Sequence, residues 1–218
     1  MAEEIFAGGP LYEHREGVFK PGADSLLPAD FVRLGRVRRF CDVGCGGGII
    51  TLALLSKAPQ ARACAVDVSE AAAELCRHNL ALNGMEGEVV CADVRRYRSL
   101  FEAGSFDLVV SNPPYFVPGR GKPSREAFEN SARAETSLSL RELCEAAAYM
   151  LRNCGKFCVV YRPERLSELF CAMTACGMEP KRLRECVASY GAAPSLVLVE
   201  GVRGAAPGLK IEKPALIT

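Results

Sequence analysis

Short apolar runs alternate with segments that are apolar at helical spacing, and the alternation sets in at Arg39. Arg39 to Val43 predicts a strand, Ile49 to Lys57 a helix stopped near Pro59, and Ala63 to Val68 a second strand. Glu70 to Leu82 is apolar at helical spacing, with Ser69 as its cap and Asn83-Gly84 as its stop. Glu88 to Cys91 predicts a third strand, Val94 to Phe101 a short helix, and Phe106 to Val110 a fourth strand. Beyond an aperiodic stretch come a helix over Ala134 to Arg152, a strand over Gly155 to Tyr161, and a helix from Pro163 to Cys176 with proline at its start. Met178 to Ser189 and Ser195 to Val202 predict two strands joined by Tyr190-Gly191-Ala192-Ala193-Pro194. Five alternations closed by a hairpin predict an α/β fold: a doubly wound, seven-stranded, mostly parallel sheet ending in an antiparallel pair.

No repeat and no interdomain linker interrupts this pattern. Residues 37–218 read as one domain and residues 1–36 as a lead-in that packs on it, with a helical pattern running to Leu34. Val117 to Arg133 gathers proline, glycine and charge and reads as a long surface loop.

Composition narrows the class. The 218 residues are 49% hydrophobic and 24% charged, ordinary for a globular domain, and the net charge of +1 makes any nucleic-acid binding a matter of local basic patches. The acidic Met1-Ala2-Glu3-Glu4 leads into no long apolar run, and no stretch approaches the ~20 apolar residues of a membrane span, so the expectation is a cytoplasmic protein with no membrane partner. The eleven cysteines include no C-x-x-C pair, and His14 and His78 lie far from them. Reduced, mostly buried thiols and no metal site are expected.

The candidate chemistry follows strands one and four. Ser111-Asn112-Pro113-Pro114-Tyr115-Phe116 ends the fourth strand, because two consecutive prolines cannot donate to a ladder and fix φ. The result is a stiff elbow at a strand's C-terminal end, where ligands bind in open α/β sheets. The Asn112 side-chain oxygen and the Pro113 carbonyl are two acceptors that could take both hydrogens of an amino group conjugated to a ring, with Tyr115 stacking on that ring. A plain Asn-Pro turn is the simpler alternative.

Asp42-Val43-Gly44-Cys45-Gly46-Gly47-Gly48 follows the first strand and opens a helix. Ile49 stands where the dinucleotide fingerprint needs its last glycine, so that match fails. The Asp-x-Gly-x-Gly-x-Gly loop of S-adenosylmethionine enzymes fits. Asp67, with Val68, ends the second strand at the distance where an acid meets ribose hydroxyls. Asp93 follows the third, placed to accept from an adenine amino group with the Val94 N–H beside it; an N-cap role is its alternative. Together these features predict a class I methyltransferase.

The chain resembles the tRNA1(Val) (adenine(37)-N6)-methyltransferase family. The resemblance rests on the lead-in Phe19-Lys20-Pro21-Gly22-Ala23-Asp24-Ser25-Leu26-Leu27, on Asn112 to Phe116 followed by Ala132-Arg133-Ala134-Glu135, and on the closing segments Pro180 to Arg184 and Leu196 to Gly201. It implies S-adenosylmethionine as cofactor, held by Asp42, Gly44, Cys45, Gly46, Gly48, Asp67, Val68, Asp93, Val94 and Asn112. It implies Asn112, Pro113, Pro114 and Tyr115 as the catalytic elbow, and tRNA as substrate, methylated at adenine N6. Tyr115, Phe116, Arg120, Lys122, Arg125, Arg133, Lys181 and Arg182 are the expected RNA contacts, on a monomer or weak homodimer. Asp24 is open between a cofactor contact and an N-cap. The rival readings are a methyltransferase for ribosomal guanine N2 or a protein glutamine, and a cofactor- and RNA-binding protein without catalysis.

Overall fold

The computed structural model describes residues 2–18, 21–22, 24–113 and 138–217. The chain opens with a two-stranded ribbon, β1 (Glu3–Glu4) and β2 (Leu11–Tyr12), and a short helix α1 (Leu27–Phe31). Strand β3 (Arg39–Val43), helix α2 (Ile49–Lys57), strand β4 (Arg62–Asp67), helix α3 (Glu70–Leu82) and strand β5 (Gly87–Cys91) follow as the first winding. A 3-10 turn at Val94–Arg96 and helix α4 (Tyr97–Leu100) lead to strand β6 (Phe106–Ser111). Helix α5 (Leu140–Met150), strand β7 (Leu151–Tyr161), helix α6 (Leu166–Ala175) and the hairpin β8 (Met178–Val187) and β9 (Leu196–Arg203) complete the body.

The seven long strands lie in the order β8-β9-β7-β6-β3-β4-β5. The ladders from β7 to β5 are parallel, and β9 runs antiparallel to both β7 and β8. The doubly wound architecture expected from the pattern is therefore present. Alternate strand residues face two cores. Cys41, Val43, Cys64 and Val66 pack with α5 and α6, while Phe40, Ala63 and Ala65 pack with α1, α2 and α3.

Three expectations are corrected. The tail carries two more strands, β10 (Lys210–Ile211) and β11 (Ala215–Leu216), which pair with β8 and make the sheet nine-stranded. Two-residue strands leave no period to read. The helix expected over Ala134 to Arg152 is described from Leu140 and ends at Met150: Ser139 and Glu142 form a capping box at its start, and Leu151 passes directly into β7. Residues 134–137 lie outside the described segments. The lead-in helix ends at Phe31, not Leu34, and Leu26 rather than Asp24 occupies its N-cap.

Candidate active site

β3 and β6 are adjacent, yet the chain winds from β3 through β4 to β5 on one side and resumes at β6 on the other. This is the switch point of the sheet, where two neighbouring loops part and leave a crevice. The glycine loop leaves β3 there and Asn112-Pro113 leaves β6. Val43 and Ser111 are register partners across the pair, and the buried Ser111 hydroxyl donates to the Val43 carbonyl at 2.8 Å. The two halves of the site are thereby fixed side by side. The sequence gives no isolated signal for Ser111, whose role depends on that neighbouring strand.

Gly44, Gly46 and Gly48 have φ of +73°, +53° and +85°, so L side chains there would be strained. The loop is held by its own backbone: Gly44 and Cys45 N–H donate to the Val66 carbonyl at 2.8 and 3.1 Å. Asp67 spans it. One carboxylate oxygen accepts from Gly46 N–H at 2.9 Å and the other from Ser69 N–H at 2.9 Å. The Cys45 thiol is buried, and its contact with Cys76 together with desolvation pushes its pKa well up. Cys45 can therefore serve a ligand through its backbone and not as a thiolate.

Asp42 lies wholly buried beneath this loop. Thr51, one turn into α2, donates its hydroxyl to Asp42 Oδ2 at 2.7 Å, while Oδ1 has no partner. Burial pushes the carboxyl up to about 7 against that hydroxyl bond, and nearby Asp67 adds to the rise. A buried carboxylate oxygen without a donor is a position for a ligand's donor or a proton. At the end of β4, Val68 is 65% exposed, an apolar surface beside Asp67 that a flat ring would cover. An orphaned acid, a turn lined by Cα hydrogens and an open apolar shelf fit S-adenosylmethionine as the cofactor.

Asp93 is an N-cap. Its side chain accepts from Arg95 N–H at 2.9 Å and is bracketed by the Arg95 guanidinium, which holds it below the usual carboxylate range. Val94 is buried beside it. Asn112 and Pro113 are half-buried at the end of β6. Pro114, Tyr115, Phe116, Arg120, Lys122, Arg125 and Arg133 lie outside the described residues, as do Phe19, Lys20 and Ala23 of the lead-in.

The two hairpin cations part company. Lys181 is half-buried with its ammonium on the Ala206 carbonyl at 3.0 Å. Arg182, expected to contact RNA, is only 6% exposed, because the tail folds over it. Its guanidinium donates to Glu200 at 2.7 Å, to Glu212 at 2.8 Å and to the Phe31 carbonyl at 3.1 Å. So enclosed, Arg182 has no edge left for a phosphate.

Among the described residues no helix is long and apolar enough to cross a membrane, and no group of three or more His, Cys, Asp or Glu is placed to hold a metal ion.

Known proteins resemble this chain in sequence and in fold. The family model described as "Methyltransferase small domain" matches residues 20–170. A tRNA1(Val) (adenine(37)-N6)-methyltransferase of Tolumonas auensis is 32% identical over 183 residues, covering 83% of this chain and 75% of the relative. One of the same name from Bacteroides fragilis is 28% identical over 188 residues, covering 85% and 78%. Among solved structures, one described as a "predicted O-methyltransferase" from Agrobacterium tumefaciens superimposes with a TM-score of 0.69 at 20% identity, covering 88% of this chain and 86% of that one. The 16S rRNA N2 G1207 methyltransferase of T. Thermophilus, in complex with AdoMet and guanosine, gives 0.64 at 22%, covering 93% and 50%. At these identities the structural likeness speaks for the fold. The sequence matches place the chain in the methyltransferase small domain family, as a member of the tRNA1(Val) (adenine(37)-N6)-methyltransferases.

Proposed function

We propose that the protein transfers a methyl group from S-adenosylmethionine to N6 of an adenine in tRNA, at position 37 of the anticodon loop of tRNA(Val), as the names of its relatives state for them. The observation that carries the reaction class is the pairing of Val43 with Ser111, which sets the glycine loop and Asn112 side by side at the switch point. A cytoplasmic location, where tRNA is present, accords with this reading.

When bound, S-adenosylmethionine supplies a methyl group already activated by a positive sulfur. The chain's task is then placement rather than proton abstraction. The glycine loop and Asp42 take the amino-acid end, Asp67 the ribose, and Val68, Asp93 and the Val94 N–H the adenine. On the other side of the crevice, the Asn112 side-chain oxygen and the Pro113 carbonyl accept the two hydrogens of the target amino group. That draws the nitrogen lone pair out of conjugation and aims it into the crevice. Tyr115, in its place in the motif, stacks on a base taken out of the RNA. Arg120, Lys122, Arg125 and Arg133 belong to the same proposal, as phosphate contacts that make binding weaken with salt.

Transfer of label from S-adenosylmethionine to unmodified total tRNA, followed by nucleoside analysis, tests the reading. N6-methyladenosine in tRNA(Val) is the expected product; label in ribosomal RNA or protein overturns the substrate. Asn112→Ala should lower turnover about a hundredfold or more with affinity for S-adenosylhomocysteine nearly intact. Full activity of that variant would remove the acceptor mechanism.

A further inference from the structure

Gly47 is a glycine that backbone geometry does not require. Its three loop companions have positive φ, whereas Gly47 does not lie in the left-handed region. What chiefly excludes a side chain at this position is Tyr12, with the end of Leu75 beside it. A Cβ on Gly47 would fall onto the Tyr12 hydroxyl, far inside contact distance, with Tyr12 Cζ and Leu75 Cδ2 both at 2.9 Å. Tyr12 is 8% exposed, its hydroxyl has no hydrogen-bond partner, and burial pushes its pKa up to about 12.

Tyr12 is held there by α3. Asn83 accepts from Leu11 N–H and donates to the Leu11 carbonyl, both at 2.7 Å. Asn79, one turn earlier, accepts from Glu13 N–H at 2.9 Å and donates to the Glu13 carbonyl at 3.1 Å. Two carboxamides at i and i+4 thus pair with alternate residues of an extended segment, as a neighbouring strand would, so the residue between them faces the other way. The other Asn79 Nδ2 hydrogen goes to the Gly47 carbonyl at 3.0 Å. Asn79 is wholly buried and both of its donors are used. His78 Nε2 lies 2.5 Å from Glu13 Oε2 and adds a tie at the outer edge.

We propose that residues 11–13 form a strap that belongs to the cofactor site. Tyr12 wedges against the Cα of Gly47 and Asn79 brackets its carbonyl, so both are positioning residues that hold the Gly46-Gly47-Gly48 turn in its binding conformation. The inference rests on reading this loop as the S-adenosylmethionine loop. The strap makes it stiffer than the sheet alone would, and its removal lowers cofactor affinity without touching the methyl-accepting elbow.

The test takes Tyr12→Ala and Asn79→Ala in the full chain. S-Adenosylhomocysteine binding by calorimetry should weaken about tenfold, a typical coupling between linked sites. Amides of Gly44 to Gly48 in the ligand-free protein should exchange faster, and kcat at saturating cofactor and KM for tRNA should stay unchanged. Gly47→Ala should weaken binding in the parent but add little in the Tyr12→Ala background, because the larger obstacle is then gone and the flexible end of Leu75 can turn aside. If Tyr12→Ala fails to fold, Tyr12→Leu, which shortens the wedge and keeps it apolar, replaces it in the same cycle. Unchanged exchange and unchanged affinity in folded variants overturn the strap, as does additivity of Gly47→Ala with Tyr12→Ala. If the parent binds no S-adenosylhomocysteine, the cofactor reading fails, and loop exchange alone still decides whether the strap holds the turn.

Discussion

Asp42 and Glu212 are both carboxylates withdrawn from water, yet the fold treats them in opposite ways. Glu212, with its side chain 8% exposed, accepts from Arg182 at 2.8 Å, Arg184 at 2.6 Å and Arg33 at 2.7 Å. Those guanidiniums hold its carboxyl down at about 2, the Arg182 hydrogen bond contributing most. Asp42 has one hydroxyl, one empty oxygen and a carboxyl raised to about 7. The Glu212 cluster satisfies itself. It ties the lead-in, the hairpin and the tail together, with Arg182 also over the Phe31 ring at 4.2 Å. Asp42 keeps one buried oxygen unpaired, and in the proposed function that oxygen belongs to the cofactor's amino-acid end.

Removing the central cation should break the comparison on the stable side. Arg182→Ala takes from the buried Glu200 and Glu212 the cation they share, and a loss of about 3–5 kcal/mol is expected in urea unfolding. A loss under about 1 kcal/mol would reduce the cluster to a surface ion pair.

The pH dependence separates the two acids by sign. Asp42 has a folded pKa of about 7 against 3.8 in the ordinary state, so its contribution is fully present below about pH 4 and is lost as pH rises through 7. Asp42→Asn should flatten that part of the stability profile of the ligand-free protein, and an unaltered slope between pH 4 and 7 would remove Asp42 as its source. Glu212 runs the other way. Its pKa falls from 4.5 to about 2, so its contribution is present above 4.5 and is lost as pH falls through 2. Glu212→Gln should remove this acid limb, which urea midpoints below pH 5 would show. Arg33 closes the series as the smallest effect. Its side chain is 59% exposed, so Arg33→Ala should cost under about 1 kcal/mol.

The sheet was legible because its signals are local and repeated. Arg39–Val43, Ile49–Lys57 and Glu70–Leu82 are observed with the bounds their patterns predict. The Asp93 cap was one of two open readings, and the capping contact is present. Arg182 misled, because in sequence a cation on a hairpin looks like surface. Its burial depends on Glu200 eighteen residues later and Glu212 thirty residues later. Tyr12 and Asn79 were equally silent, separated by sixty-seven positions and carrying no motif.

The sequence by itself determined the winding of the sheet, the glycine loop and the end of β6 before Asn112-Pro113, since apolar period, glycine and proline act within a few residues of chain. Tertiary structure alone decided which charges are spent on the fold, that Ser111 joins the two halves of the site, and that an N-terminal tyrosine bears on Gly47. Those outcomes come from side chains meeting across strands and helices, and a hydrogen bond or a steric contact depends on distance in space, which one residue's neighbours in sequence do not fix.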